Sequence, residues 1–159
     1  GAGLSILLKN KKSSKKFDIK AKSAVFKPKC RLLFGLKNKK YFSSSMDSSD
    51  GLSTTLNEMS SQSKKKFVIT TMPSDNDLYD FATLNNLNPN DLILNSGEEY
   101  EIVATTNKSN LSKIKNHAKK HRIKIYEIGY VTKGMGVFYK KNGKLVRIKD
   151  EGWQHLQKH

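Results

Sequence analysis

A chain of 159 residues, 36% of them hydrophobic, is long enough for one domain around a single core. The formal net charge of +16 suggests that the partner is a nucleic acid or an anionic surface. However, only three of the 30 basic residues are arginine, the residue best suited to bind phosphate. A lysine-rich, solvated surface is therefore favoured over a nucleic-acid-binding module. A single cysteine excludes an intrachain disulfide, and no apolar run approaches the roughly 18 residues of a membrane span, so we expect a cytoplasmic protein without a membrane partner.

The first part of the chain is predicted to hold two short helices. An apolar helix is expected over residues 1–8, and the lysine-rich stretch 20–27 is expected to be a connecting loop. Pro28 then begins a second helix, because its fixed φ suits a first helical turn. In that helix, Cys30 is expected to be a buried structural thiol because its neighbours are apolar, and Arg31 is either a phosphate contact or a surface charge.

The most informative stretch is an acidic turn at residues 47–51, between a strand predicted at 41–46 and a helix predicted at 52–62. The first turn of a helix has unpaired N–H groups that favour phosphate. Carboxylates would repel phosphate, so Asp47 and Asp50 are interpreted as ligands of a Mg²⁺ ion that bridges the two negative partners. The alternative is that the Ser and Asp side chains of this turn only cap the helix.

The rest of the chain alternates between strands, identified by their β-branched residues, and amphipathic helices. The predicted elements are a strand at 67–71, a helix from Asp75 or Asp77 to about residue 85, a helix capped by Ser109 or Asn110, a strand at 124–128, a flexible turn at 129–136 and a hairpin around Asn142-Gly143. This interleaving indicates an α/β sandwich, with one sheet layered against helices.

Three further places are candidates for ligand binding. Glu98, in the acidic stretch before an apolar strand, either accepts hydrogen bonds from a polar or cationic ligand or belongs to a solvated loop. His117 and His121 have the i, i+4 spacing of a metal clamp, but they lack a third ligand nearby, which favours surface positions. Trp153 either packs onto the core or stacks on a ligand ring.

Three separated motifs together resemble one family. Residues 47–52 match an Asp-x-Ser-Asp-Gly-Leu signature, residues 97–101 are similar to Gly-Glu-Asp-Tyr-Glu, and residues 152–155 resemble a Gly-Trp-x-His ending. Pro28 and Arg31 fit a Pro-x-x-Arg element that precedes them. In this order the motifs resemble the C-terminal domain of thiamine-monophosphate kinase, from the superfamily of aminoimidazole ribonucleotide synthetase.

The resemblance implies a two-layer sandwich of a mixed, mostly antiparallel sheet with helices on one face. It also implies a reaction in which ATP phosphorylates thiamine monophosphate to thiamine diphosphate with the help of Mg²⁺. Carried onto the matching positions, Asp47 and Asp50 would bind the metal, Ser49 would contact ATP, and Glu98 and Trp153 would contact the thiamine substrate. A carboxylate and an aromatic plane suit a ligand with a thiazolium cation and a flat pyrimidine.

The same resemblance implies that residues 1–159 are the C-terminal domain of a two-domain kinase. In the family, the N-terminal domain supplies further metal-binding acids, most of the ATP site and the dimer interface. We therefore expect a homodimer when the protein is full length, and no activity from this chain alone. The alternative within the superfamily is a related ATP-using protein, such as a maturation factor or an aminoimidazole ribonucleotide synthetase-like protein.

Overall fold

The computed structural model describes residues 1–97 and 99–152, and in them helices pack against two β-sheets. The helices are α1 (Ala2–Lys9), α2 (Lys15–Phe26), α3 (Leu32–Asn38), α4 (Leu52–Ser63), α5 (Asn76–Leu84), α6 (Pro89–Leu94) and α7 (Lys108–Lys120), with a 3₁₀ turn at Lys39–Tyr41. The strands are β1 (Phe42–Asp47), β2 (Lys65–Ile69), β3 (Ile102–Thr106), β4 (Gly129–Lys133), β5 (Gly136–Lys141) and β6 (Lys144–Arg147). Within these described ranges, no helix combines the length and the hydropathy that crossing a bilayer requires.

The predicted α/β class with a mixed, mostly antiparallel sheet is confirmed, although the strands form two sheets rather than one. Strands β1 and β3 pair antiparallel, with Asp47 opposite Ile102. The larger sheet has the order β4-β2-β5-β6, in which β2 and β5 are parallel and the other neighbours are antiparallel. The small sheet thus delivers the end of β1, and with it the acidic turn, to the start of α4.

Helix α4 supplies one side of the hydrophobic core. Leu52, Leu56 and Met59 recur at helical spacing and are only 8%, 1% and 5% exposed, which confirms the predicted core face. The other members of the buried cluster come from the larger sheet and the segments beside it: Phe67, Ile69, Met72, Leu94, Val137 and Ile148. Because the inner face of α4 is packed in the core, the helix fixes the position of the turn that precedes it.

Replacing Leu56 by Ala should lower the free energy of unfolding by about 2–5 kcal/mol, because it removes buried methyl groups and leaves a cavity. Urea unfolding would measure the change. Leu145→Ala is the matched control, since Leu145 lies in β6 and is 48% exposed; we expect a loss below about 1 kcal/mol there. Equal losses in both variants would contradict the assignment of Leu56 to the core.

The predicted loop at 20–27 is wrong, because α2 runs through most of it. Ser14 caps this helix by accepting a hydrogen bond from the Phe17 N–H at 3.3 Å. The Phe17 ring then stacks on Phe81 of α5, with 5.2 Å between the ring centroids. A cap and a contact with a distant helix therefore stabilise a segment whose own apolar pattern is weak.

Two predictions about the next helix are also wrong. Helix α3 begins at Leu32 rather than at Pro28. Cys30 lies before it and is exposed rather than buried. The apolar neighbours that suggested burial are themselves in solvent, since Leu32 and Leu33 are 61% and 80% exposed.

The predicted strand at 124–128 is irregular, and the predicted turn that follows it contains β4. Gly129 explains where the strand begins: a Cβ there would lie 2.0 Å from the Val68 carbonyl oxygen, so only glycine permits this close pairing with β2. Residues 124–128, which precede β4, do not pair with another strand of the described chain. The Lys124 and Tyr126 side chains in this segment form hydrogen bonds with the Asp75 carboxylate. The hairpin around Asn142-Gly143 is confirmed as β5 and β6.

Asp75 lies at the centre of a small ionic cluster that links α2, the start of α5 and the segment before β4. Its carboxylate accepts hydrogen bonds from the Lys124 ammonium, from the Tyr126 hydroxyl at 2.9 Å and from Lys20 Nζ at 3.2 Å. Lys124, then Tyr126 and then Lys20, lower the pKa of the Asp75 carboxyl well below its ordinary value.

This lowered pKa predicts a loss of stability in acid. An unfolded aspartate titrates near pH 3.9, so the stabilisation by Asp75 is present above about that pH and is lost as pH falls toward the lower folded pKa. Between about pH 5 and pH 3 the melting temperature should therefore fall less in Asp75→Asn than in the unmodified protein. Asp80→Asn, on the exposed side of α5, is the control and should behave like the unmodified protein. Parallel pH profiles for all three proteins would contradict the role of Asp75.

Candidate functional site

The acidic turn does not serve as a side-chain cap for α4. Gly51 occupies the N-cap position with φ of 105°, and no side chain of the described residues donates or accepts a capping hydrogen bond there. The positive φ favours glycine at this position, and a Cβ there would lie in tight contact, 3.1 Å, with the Leu94 carbonyl oxygen. The capping interpretation of this stretch is therefore wrong, because a glycine, and none of the Ser or Asp side chains, occupies the N-cap position.

Hydrogen bonds within the turn hold Asp47 in its charged form. The Ser49 N–H donates to Asp47 Oδ2 at 3.3 Å, and hydrogen bonding from Ser49 lowers the pKa of the Asp47 carboxyl. The Thr55 hydroxyl on α4 lies 2.9 Å from the Asp47 carbonyl oxygen and fixes the backbone behind it. Asp47 is thus an exposed, ionised carboxylate at a fixed position.

Asp47, Ser49 and Asp50 line one cavity of about 250 Å³. The other lining residues are Met46, Thr54, Thr55 and Glu58. Carboxylate and hydroxyl oxygens are the donors that Mg²⁺ prefers, so the chemistry of this lining fits that ion. Within residues 1–97 and 99–152, no three acidic, imidazole or thiol side chains come close enough to hold a metal by themselves. A Mg²⁺ ion here would therefore need further oxygens from waters or from a phosphate ligand.

Thr54 and Glu58 were not predicted as site residues from the sequence, although a signal was present. Together with Asp50 they follow the i, i+4, i+8 spacing that places side chains on one face of a helix. That polar stripe lies beside the buried stripe of α4 and forms one wall of the cavity.

A second cavity, of about 440 Å³, lies between α3 and the two strands β1 and β3. Its lining is mostly apolar and includes Leu32, Gly35, Leu36, Lys39, Phe42, Ser45 and Ile102. Met46 and Asp47 line both cavities. The end of β1 therefore borders both an acidic, oxygen-rich cavity and a mostly apolar one.

The other two motif segments approach the acidic turn. Before residue 98, the chain packs against Gly51 through Leu94 and Ser96; after it, Ser48 N–H donates to the Glu101 carbonyl oxygen at 3.0 Å. At the end of the described chain, a Cβ on Gly152 would lie 2.3 Å from the Asp50 carbonyl oxygen. Three stretches that are far apart in the sequence thus meet at the N-terminus of one helix.

Two predicted site residues, Glu98 and Trp153, lie outside the described residues. The two predicted histidines are positioned differently from a metal clamp, since the His117 Nδ1 atom makes a 2.9 Å hydrogen bond with Asn38 Oδ1 on α3, and His121 is the exposed C-cap of α7. Arg31, which the sequence left open as a phosphate contact or a surface charge, forms an ion pair with Glu101.

This fold and these motif positions define a class of protein. The chain belongs to the family described as AIR synthase related protein, C-terminal domain, whose model matches residues 8–140.

Within that class, the relatives are thiamine-monophosphate kinases. The enzyme of Nitrosopumilus maritimus is 54% identical over 157 residues, which are 99% of this chain and 50% of the relative. The enzyme of Pyrococcus horikoshii is 33% identical over 132 residues, 82% of this chain and 39% of the relative. A solved structure of AaThiL complexed with AMPPCP and TMP superposes with a TM-score of 0.77 at 30% identity, over 98% of this chain and 47% of that one.

These similarities confirm the predicted resemblance to the C-terminal domain of thiamine-monophosphate kinase. The chain spans about half the length, or less, of the curated relatives it matches.

Proposed function

We propose that this chain is the C-terminal half of an enzyme that transfers the γ-phosphoryl group of ATP to the phosphate of thiamine monophosphate, giving thiamine diphosphate and ADP. The observation that carries the proposal is the meeting of residues 47–52, 94–96, 101 and 150–152 at the start of α4. Further support comes from the AaThiL structure, which contains AMPPCP, an analogue of ATP, together with TMP.

In this proposal Asp47 and Asp50 hold Mg²⁺ beside the phosphates. When bound, the ion supplies positive charge that offsets the repulsion between these carboxylates and the phosphate oxygens. The protein's own part is to keep Asp47 ionised through Ser49 and to present the unpaired N–H groups of the first turn of α4. Phosphoryl transfer needs mainly this kind of alignment and charge stabilisation, and little covalent chemistry from the protein.

The roles of the remaining site residues follow from the same alignment. Ser49 lies in the cavity with both aspartates, where its hydroxyl can donate to an oxygen of ATP. Glu98 and Trp153 follow segments that contact the turn, and we propose that they bind the cationic thiazolium and the flat pyrimidine of thiamine monophosphate. One ligand would then account for both residues.

We further propose that an N-terminal domain completes the ATP site, supplies further metal-binding acids and joins two full-length chains into a homodimer. The support is that this chain matches about half of its relatives' length and that the described residues bring too few acidic side chains together to hold a metal by themselves. The 159 residues alone should then be inactive.

A direct assay tests the proposal. Full-length protein is incubated with ATP, Mg²⁺ and thiamine monophosphate, and thiamine diphosphate and ADP are separated by chromatography. We expect equal amounts of the two products, and neither product when thiamine monophosphate is replaced by thiamine. ATP consumption without thiamine diphosphate would contradict the proposed acceptor. Activity of the isolated 159 residues would contradict the division of the site between two domains.

A further inference from the structure

An arginine remote from the acidic turn is joined to it through one acidic residue. Arg31 lies just before α3, and its guanidinium holds the Glu101 carboxylate with two parallel hydrogen bonds, Nε to Oε2 at 2.9 Å and Nη2 to Oε1 at 2.7 Å. This two-bond geometry fixes the orientation of both side chains, which a single bond from lysine cannot do. The whole Arg31 side chain is 25% exposed, and the Glu101 side chain is 51% exposed.

Glu101 is in turn bonded to the acidic turn through its backbone. Its carbonyl oxygen accepts the Ser48 N–H at 3.0 Å, and its own N–H donates to Ser48 Oγ at 3.3 Å. Ser48 lies between Asp47 and Asp50 in the sequence, and it is buried, with 4% exposure. The next residue along the chain, Ile102, is the β-ladder partner of Asp47. The position of Glu101 therefore sets the position of Ser48 and of the aspartates on either side of it.

We propose that Arg31 is a positioning residue, which acts through Glu101 and Ser48 to hold Asp47 and Asp50 in the arrangement that binds a divalent cation. The inference rests on the proposed function, because it assigns Arg31 to the metal side of that site. An ion pair whose carboxylate is half exposed adds little to global stability. The contribution of Arg31 should accordingly appear as order in the turn and as metal affinity, with little change in melting temperature.

The alternative role for Arg31 is a direct contact with phosphate, and it predicts different effects of the variants. If Arg31 acts through Glu101, removing either partner has the same effect, and removing both adds nothing further. If Arg31 contacts phosphate directly, Glu101→Gln frees the guanidinium and leaves the binding of the phosphate ligand intact or stronger. Comparing Arg31→Ala, Glu101→Gln and the double variant therefore separates the two roles.

The experiment uses full-length protein and two readouts that need no catalysis. Hydrogen exchange follows the backbone amides of residues 48–51, and the electron paramagnetic resonance signal of free Mn²⁺ follows metal binding. Both single variants and the double variant should show about tenfold faster exchange at 48–51 and about tenfold weaker Mn²⁺ binding. Arg31→Lys keeps the charge but loses the paired hydrogen bonds. Its exchange rate and its Mn²⁺ affinity should therefore lie between those of the other variants and those of the unmodified protein.

Lys22→Ala is the matched control, because Lys22 forms a comparable ion pair with Asp18, at 2.9 Å, away from the turn. It should match the unmodified protein in both readouts. Exchange at 48–51 that is equally slow in Arg31→Ala and Lys22→Ala would overturn the inference, as would losses that add in the double variant. Failure of the proposed metal site is distinguishable, since Asp50→Asn would then leave Mn²⁺ binding unchanged while the exchange data still decide the role of Arg31.

Discussion

Asp50→Asn should reduce the turnover of the full-length protein with ATP and thiamine monophosphate by at least about a hundredfold. The substitution preserves the size of the side chain but removes one of the two carboxylates proposed to hold Mg²⁺. Among the described residues, the Asp50 side chain has no hydrogen-bond or ion-pair partner, so the substitution breaks no such bond within the part of the fold that the structure describes. A fall in rate with an unchanged melting temperature would place the defect in the chemistry of the site.

Steady-state rates at several Mg²⁺ concentrations measure this effect. The control is Asp91→Asn on α6, which removes the same charge from an exposed position away from the cavity. We expect the control to retain normal turnover at every Mg²⁺ concentration. If Asp50→Asn and Asp91→Asn had indistinguishable rates, Asp50 could not be a metal ligand in the reaction.

Gly152→Val should lower kcat/KM for thiamine monophosphate by about a hundredfold, the scale expected when binding groups are displaced by an ångström. A Cβ on Gly152 would lie 2.0 Å from Thr54 Oγ1 and 2.3 Å from the Asp50 carbonyl oxygen, so the closing segment must leave its position. Thr54 would also lose its 2.6 Å hydrogen bond to Asp150. The proposed substrate contact of the next residue in the sequence, Trp153, should be lost as a result.

Kinetics with thiamine monophosphate as the varied substrate provide the measurement. Glu151→Ala is the control, because Glu151 is the exposed neighbour of Gly152 in the same segment. A normal kcat/KM in Gly152→Val would mean that the closing segment does not take part in substrate binding. A loss of equal size in Glu151→Ala would mean that the segment acts through its charge instead of its close approach to α4.

Local patterns in the sequence predicted the elements whose stability is local. Helix α4 has a continuous apolar face at Leu52, Leu56 and Met59, and the Asn142-Gly143 turn favours a hairpin by its own backbone preference. Helix α2 and strand β4 were missed because distant residues stabilise them. The first depends on Phe17 stacking against Phe81, and the second on the close approach of Gly129 to β2.

In the candidate site, too, residues close in the sequence were predicted and contacts between distant residues were not. Asp47 and Asp50 were predicted because they lie three positions apart in one turn before a helix, and Ser49 was added by motif resemblance; all three line one cavity. The bonds between Ser48 and Glu101 could not be predicted, since these residues are 53 positions apart and meet only through the pairing of β1 with β3. Glu98 and Trp153 stay predictions, based on motif resemblance.

A crystal structure of the full-length protein with Mn²⁺, AMPPCP and thiamine monophosphate tests the central claim most directly. Anomalous scattering would locate the metal independently of its surroundings. We expect a peak about 2.0–2.4 Å from carboxylate oxygens of both Asp47 and Asp50, shared with a phosphate oxygen of the nucleotide. Metal peaks that involve neither aspartate, with nucleotide and substrate in place, would contradict the account.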